Sequence, residues 1–199
     1  YKCEALVNME HYQEALQCIN ETLRLVPRTV DALCSRARIS LKLLSTKNNS
    51  SEISLDAILR DLDDASSIMK RAQQFSIEDV APHAFTTATY LRVLVLKKMG
   101  KSRQAYDYCM QLLQDYANLV KQCNSEKIIY DERIFKIAKN YALENLKRTR
   151  GHLVKDLYEL VLEQVPVQAL GANRVKEYKE QFFFILLFLG EFDRAVNEF

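Results

Sequence analysis

Apolar residues recur along most of the chain at the i, i+3, i+4, i+7 spacing that gathers them on one side of an α-helix. Residues 11–26 show it first: Tyr12, Ala15, Leu16, Ile19, Leu23 and Val26 form one stripe, and Pro27 stops it. Thr29 is placed to cap a second helix carrying Leu33, Ala37, Ile39, Leu41 and Leu44, and 45–51 is then a polar loop. Ser54 is placed to cap a long third helix marked by Leu55, Ile58, Leu59, Leu62, Ala65, Met69 and Ala72. A fourth is expected from Pro82 to Met99, closed by a left-handed cap at Gly100, and a fifth over about 102–120. Three more are expected over about 128–148, 152–165 ending at Pro166, and 173–189 ending at Gly190, and a ninth begins at Glu191. No run alternates with the period of two of a half-buried strand, so the expected class is all-α.

Composition points the same way. Among 199 residues there are four Gly and three Pro, where average usage of about 12% combined would give roughly 24. Sandwiches, barrels and dinucleotide-binding folds need more turn and phosphate-loop residues than that. The 48% apolar and 27% charged content is that of a globular chain rather than a disordered one. Five cysteines (Cys3, Cys18, Cys34, Cys109, Cys123) form an odd set with no C-x-x-C pair, which argues against a disulfide framework or zinc ribbon and for a cytoplasmic or nuclear location. The greasiest run, Phe182–Leu189, is eight residues long, too short to cross a bilayer, so no membrane insertion is expected. The chain opens at Tyr1 and ends inside a helical pattern, as a piece of a longer repeat protein would.

Four segments read alike: Glu10 to Leu16, Asp61 to Ser66, Gly100 to Tyr106 and Gly190 to Val196 each carry an Ala (Ala15, Ala65, Ala105, Ala195) at the same place in what reads as the start of a helix. An apolar residue follows four positions on at Ile19, Met69 and Cys109. This resembles the tetratricopeptide repeat, a 34-residue helix–turn–helix unit whose second helix opens Gly-x-Tyr/Phe-x-x-Ala and closes at Pro. The matching residues are Tyr12, Ala15, Ile19, Leu23 and Pro27, continuing into Leu33 and Ala37; then Ala142, Tyr158 and Pro166; then Gly190, Phe192 and Ala195. The alanines stand 50, 40 and 90 residues apart rather than 34, Glu10 replaces the usual Gly, and Trp is absent; a half-a-tetratricopeptide repeat or another α-solenoid fits as well. The resemblance implies a single helical-repeat domain over 1–199, a right-handed superhelix of antiparallel pairs at about 1–26, 29–75, 82–122, 128–166 and 173–199.

It also implies a function. First helices of such pairs line an inner groove, whose slots here hold Asp31, Ser35, Arg38 and Lys42; Thr87, Tyr90, Leu91, Leu94, Lys97 and Lys98; and Lys136, Lys139, Asn140, Leu143 and Lys147. Seven cations against one carboxylate would favour an acidic segment of another protein, although the chain as a whole carries only +2. The family's clamp for acidic chaperone tails has no counterpart, since its slots hold Glu4, Ser35, Thr87 and Leu91. A partner is also expected at the apolar C-terminal end, because Phe182–Leu189 is greasy around the whole helix and must be covered.

Catalytic chemistry finds little footing. His11, His83 and His152 lie in no ligand motif, and no Gly-rich phosphate loop or nucleophile elbow occurs. Asp61, Asp63 and Asp64 form an acidic cluster that reads as a solvated helix face rather than a metal site. Neither enzyme activity nor a cofactor or metal is expected. The alternative is an RNA-associated repeat protein using residues 133–155, which hold seven Lys/Arg and one acid, Glu144.

Overall fold

The computed structural model describes residues 2–46, 53–74, 82–123 and 132–197, all of it helices and the turns joining them, with no strand among them. By its internal contacts the chain divides into two compact units, Tyr1–Lys101 and Ser102–Phe199.

Unit 1 holds α1 (Lys2–Asn8), α2 (Tyr12–Leu25), α3 (Val30–Leu43), α4 (Leu55–Gln74) and α5 (Pro82–Lys98). Sequence neighbours pack pairwise, and α3 touches α5 as well as α2 and α4. That central place explains its composition: Ala32, Leu33, Cys34, Ala37, Ile39, Ser40, Leu41 and Leu43 are all buried. Ser54 caps α4 as expected, accepting the Ala57 amide proton at 3.0 Å. Thr29 does not cap α3 with its side chain; its hydroxyl instead donates to the Val26 carbonyl at the end of α2. Of the polar loop 45–51, residues 47–51 lie outside the described residues.

Unit 2 holds α6 (Ser102–Cys123), α7 (Glu132–Glu144), α8 (Leu146–Thr149), α9 (His152–Glu159) running into a π-helical turn (Leu160–Gln164), then α10 (Val167–Leu170), α11 (Ala172–Leu189) and α12 (Phe192–Asn197). The expected 128–148 helix is thus broken at Asn145, whose side-chain amide donates to the Tyr141 carbonyl. The 152–165 helix ends in a widened turn ahead of Pro166. Here too helices reach beyond their chain neighbours. Phe135 of α7 stacks on Tyr178 of α11, Tyr106 of α6 donates to the Leu153 carbonyl of α9, and Arg194 of α12 pairs with Glu159 of α9.

The alanines of the repeat-like segments sit where helices meet. Ala15, Ala65 and Ala195 are 0% exposed and Ala105 1%. Ile19, Ala37, Met69, Cys109, Ala142 and Tyr158 are buried with them, whereas Tyr12 is half-buried and Pro27 and Phe192 are exposed. One reading is corrected: Asp61 does not open a helix but lies in the interior of α4, so three of the four segments are true starts.

Those three share a turn. Ahead of α2, α6 and α12, the amides of His11, Lys101 and Glu191 each donate to a carbonyl five residues back, on Leu6, Leu96 and Leu186. This bond requires the preceding residue to be left-handed. Gly100 and Gly190 comply at φ 74° and 78°, and Glu10 complies at φ 61° despite its β-carbon. Glu10→Gly should therefore raise stability by about 0.5–1 kcal/mol, the relieved strain outweighing the added freedom of the unfolded chain; the midpoint of urea unfolding checks it. Ala105→Leu should lower stability by about 1–3 kcal/mol through overpacking, and an unchanged midpoint would show that the slot has room.

Candidate functional site

The residues expected to line one groove divide between the units. Arg38, Lys42, Lys97 and Lys98 belong to unit 1, and Lys136, Lys139, Asn140 and Lys147 to unit 2. In unit 1, Asp31, Arg38 and Lys42 are exposed with Ser35 half-buried between them, a polar stripe on a helix otherwise covered by three others. On α5, Lys97 and Lys98 are exposed, Thr87, Tyr90 and Leu94 are half-buried, and Leu91 is a correction, packed into the core at 5% exposure. Lys98 and Asp56 line an open hollow of about 590 Å³ whose remaining walls are Leu44, Ile53, Leu55 and Met99.

In unit 2 two of the cations are already engaged. Lys136 pairs with Glu132 at 2.9 Å, and its ammonium holds that carboxyl below the usual range. Lys139 is half-buried, donates to Gln181 Oε1 at 2.8 Å and stands over the Tyr158 ring. The Tyr158 hydroxyl donates to the same oxygen, and burial raises its pKa well above the normal phenol range. Lys139 therefore ties α7 to α11. Asn140, Leu143 and Lys147 remain exposed.

The acidic cluster of α4 has a structural use that spacing did not show. Asp61 accepts two hydrogen bonds from Arg36 of α3, at 2.6 and 2.7 Å, and Asp63 pairs with Arg92 of α5. Only Asp64 of the three is exposed. The bidentate Arg36–Asp61 pair has the strong, planar geometry that guanidinium and carboxylate share. It keeps the Arg36 pKa raised, chiefly through the hydrogen bonds to Asp61. No group of three or more His, Cys, Asp or Glu side chains is arranged to hold a metal among the described residues.

Among the described residues, the thiols and histidines do not converge. Burial pushes the Cys34 thiol up to about 11, and Cys109 is fully buried. Cys3 donates weakly to the Ala15 carbonyl, and its pKa is raised chiefly by burial. Exposed His11 sits 3.3 Å from Glu14, and His152 is exposed; the side chains of His83 and Cys123 lie outside the described residues.

A second surface emerges on unit 2. On α11, Phe184 and Phe188 are 67% and 63% exposed, and on α12 Phe192 and Val196 are exposed too. The greasy run is thus split: Phe182 and Leu186 enter the core while Phe184 and Phe188 face solvent. Beside them lies the turn Lys147–Gly151, with Lys147, Arg148 and Arg150 exposed. Gly151 is required there. A β-carbon at its φ of 80° would come within 2.9 Å of Leu189 Cδ2 and 3.6 Å of Phe188 Cε1. No described helix is long and apolar enough to cross a membrane.

No family model, no curated relative and no solved structure matches this chain. Its surfaces must speak for themselves.

Removing one member of the best-formed inter-helix pair gives a direct test. Arg36→Ala should cost about 1–3 kcal/mol, because Asp61 is left largely buried without its donor; pairing it with Asp61→Asn in a double-mutant cycle measures the coupling by urea unfolding.

Proposed function

We propose that this chain is a non-catalytic scaffold that holds another protein on stacked helix hairpins of tetratricopeptide type. The observation that carries this reading is the stripe Asp31–Ser35–Arg38–Lys42. It faces solvent on α3, whose every other side is taken up by α2, α4 and α5. A helix so completely held presents its free side rigidly, which lowers the ordering cost of binding.

Two further features support the stacked arrangement. Contacts that skip one or more helices in chain order (α3 with α5, α7 with α11, α9 with α12) are what hairpins piled on one another produce. The shared left-handed turn before α2, α6 and α12 is the one expected ahead of the second helix of such a hairpin. Two cations and one carboxylate on the stripe favour an acidic ligand.

The RNA-associated alternative has less behind it. Lys136, Lys139 and Lys155 are engaged by Glu132, Gln181 and Glu191, and Arg133 also has a partner. Lys147, Arg148 and Arg150 are the exposed cations that remain.

A glutamate-rich peptide should bind the chain, and Arg38→Glu with Lys42→Glu should weaken that binding by about tenfold or more while leaving the melting temperature unchanged. Fluorescence anisotropy reads the first effect and circular dichroism the second. Equal affinity of wild type and variant would remove α3 from the binding surface.

A further inference from the structure

The solvent side of α11 changes character along its length. At 100° per residue, Glu177, Glu180, Phe184 and Phe188 all fall within about 40° of one line, whereas Lys176 and Lys179 lie about 80° and 140° away from Phe184. All four residues on the line are exposed. Glu177 accepts a hydrogen bond from Gln181, one turn along the same helix, and Glu180 has no ion-pair partner among the described residues. The stripe is acidic in its first half and aromatic in its second.

Beyond the aromatic half comes the opposite charge. The backbone of Gly151 lies against Phe188 and Leu189, which sets the turn carrying Lys147, Arg148 and Arg150 beside the C-terminal end of α11. Those three side chains are exposed and join no ion pair among the described residues. The order along this face is therefore carboxylates, phenylalanines, cations.

A surface with opposite charges on either side of an apolar centre is complementary to itself under a two-fold rotation. An axis midway between Phe184 and Phe188 lays two α11 helices antiparallel. Phe184 of one chain then meets Phe188 of the other, and Glu177 and Glu180 of each meet the basic turn of its mate. We propose that this face is a self-association surface through which two copies of the chain pair isologously.

A nucleic acid or other polyanion would be repelled by the carboxylates beside the rings, and a basic peptide by the turn; a second copy satisfies both. The apolar area is of the order that the centre of an interface needs. At roughly 200 Å² per aromatic ring, Phe184 and Phe188 expose about 260 Å² of apolar surface per copy, to which half-buried Phe183 and Leu187 add. A standard interface buries about 800 Å² per partner, a little over half of it apolar. The surface lies in unit 2, apart from the α3 stripe, so failure of peptide binding there and failure of pairing here are separate results.

Sedimentation of the whole chain over about 1–100 µM should show a reversible dimer. Phe188→Asp should leave a monomer with unchanged helical content. Because that change borders the core, the charge variants decide. Glu177→Lys with Glu180→Lys should weaken pairing at least about tenfold, and Lys147→Glu with Arg148→Glu and Arg150→Glu should do the same. Mixing these two variants, or combining all five changes in one chain, should restore the dimer. A wild type that stays monomeric at the highest concentration overturns the proposal. So does a dimer indifferent to both charge sets, or a monomer that binds a single-stranded RNA oligomer with steep salt dependence.

Discussion

Packed helices lie about 8–10 Å apart, and the closest approaches in that range are made where the side chains between them are small. In this chain that condition is met by alanine at Ala15, Ala65, Ala105 and Ala195, each all but sealed from solvent. Ala37, Ala138 and Ala142 meet it on the facing helices and are buried to the same degree. Larger residues one turn on, such as Ile19, Met69 and Cys109, then fill the space beside each close contact. Helix pairing within both units rests on this alternation of a methyl and a larger group.

Once the backbones are close, polar groups between them must be satisfied, and they are used as ties. Arg36–Asp61 joins α3 to α4 and Arg92–Asp63 joins α5 to α4. In unit 2, Gln181 gathers the Lys139 ammonium and the Tyr158 hydroxyl, and Arg194 draws Glu159 and Glu163 toward α12. Charges that could have been binding groups are thereby spent internally. Among the described residues, exposed groups outside these ties include the polar stripe of α3, Lys97 and Lys98 of α5, the basic turn before α9 and the aromatic face of α11.

Local signals decided much of the architecture in advance. Helix type, the stops at Pro27 and Gly100, the Ser54 cap and the small-residue slots all depend on interactions within a turn or two of the residue concerned, and so they can be read from spacing. Glu10 is instructive, because it breaks the Gly rule in sequence yet adopts the glycine conformation, held there by the same long amide bond as Gly100 and Gly190.

What spacing could not reveal depends on partners far away in the chain. Nothing near Asp61 in sequence indicates that Arg36 awaits it 25 residues back, nor does anything near Lys139 indicate Gln181, so an acidic cluster and a groove lysine became structural ties. Periodicity likewise marked Leu91 and the Phe182–Leu189 run as apolar without saying which side a neighbouring helix would cover. Packing covered Leu91, Phe182 and Leu186 and left Phe184 and Phe188 bare. The sequence by itself determined the helices and where they can touch, since those follow from the backbone and side chains within one turn. Which charges are neutralised and which rings stay exposed was decided only by the tertiary structure, because each answer belongs to a pair of residues that folding alone brings together.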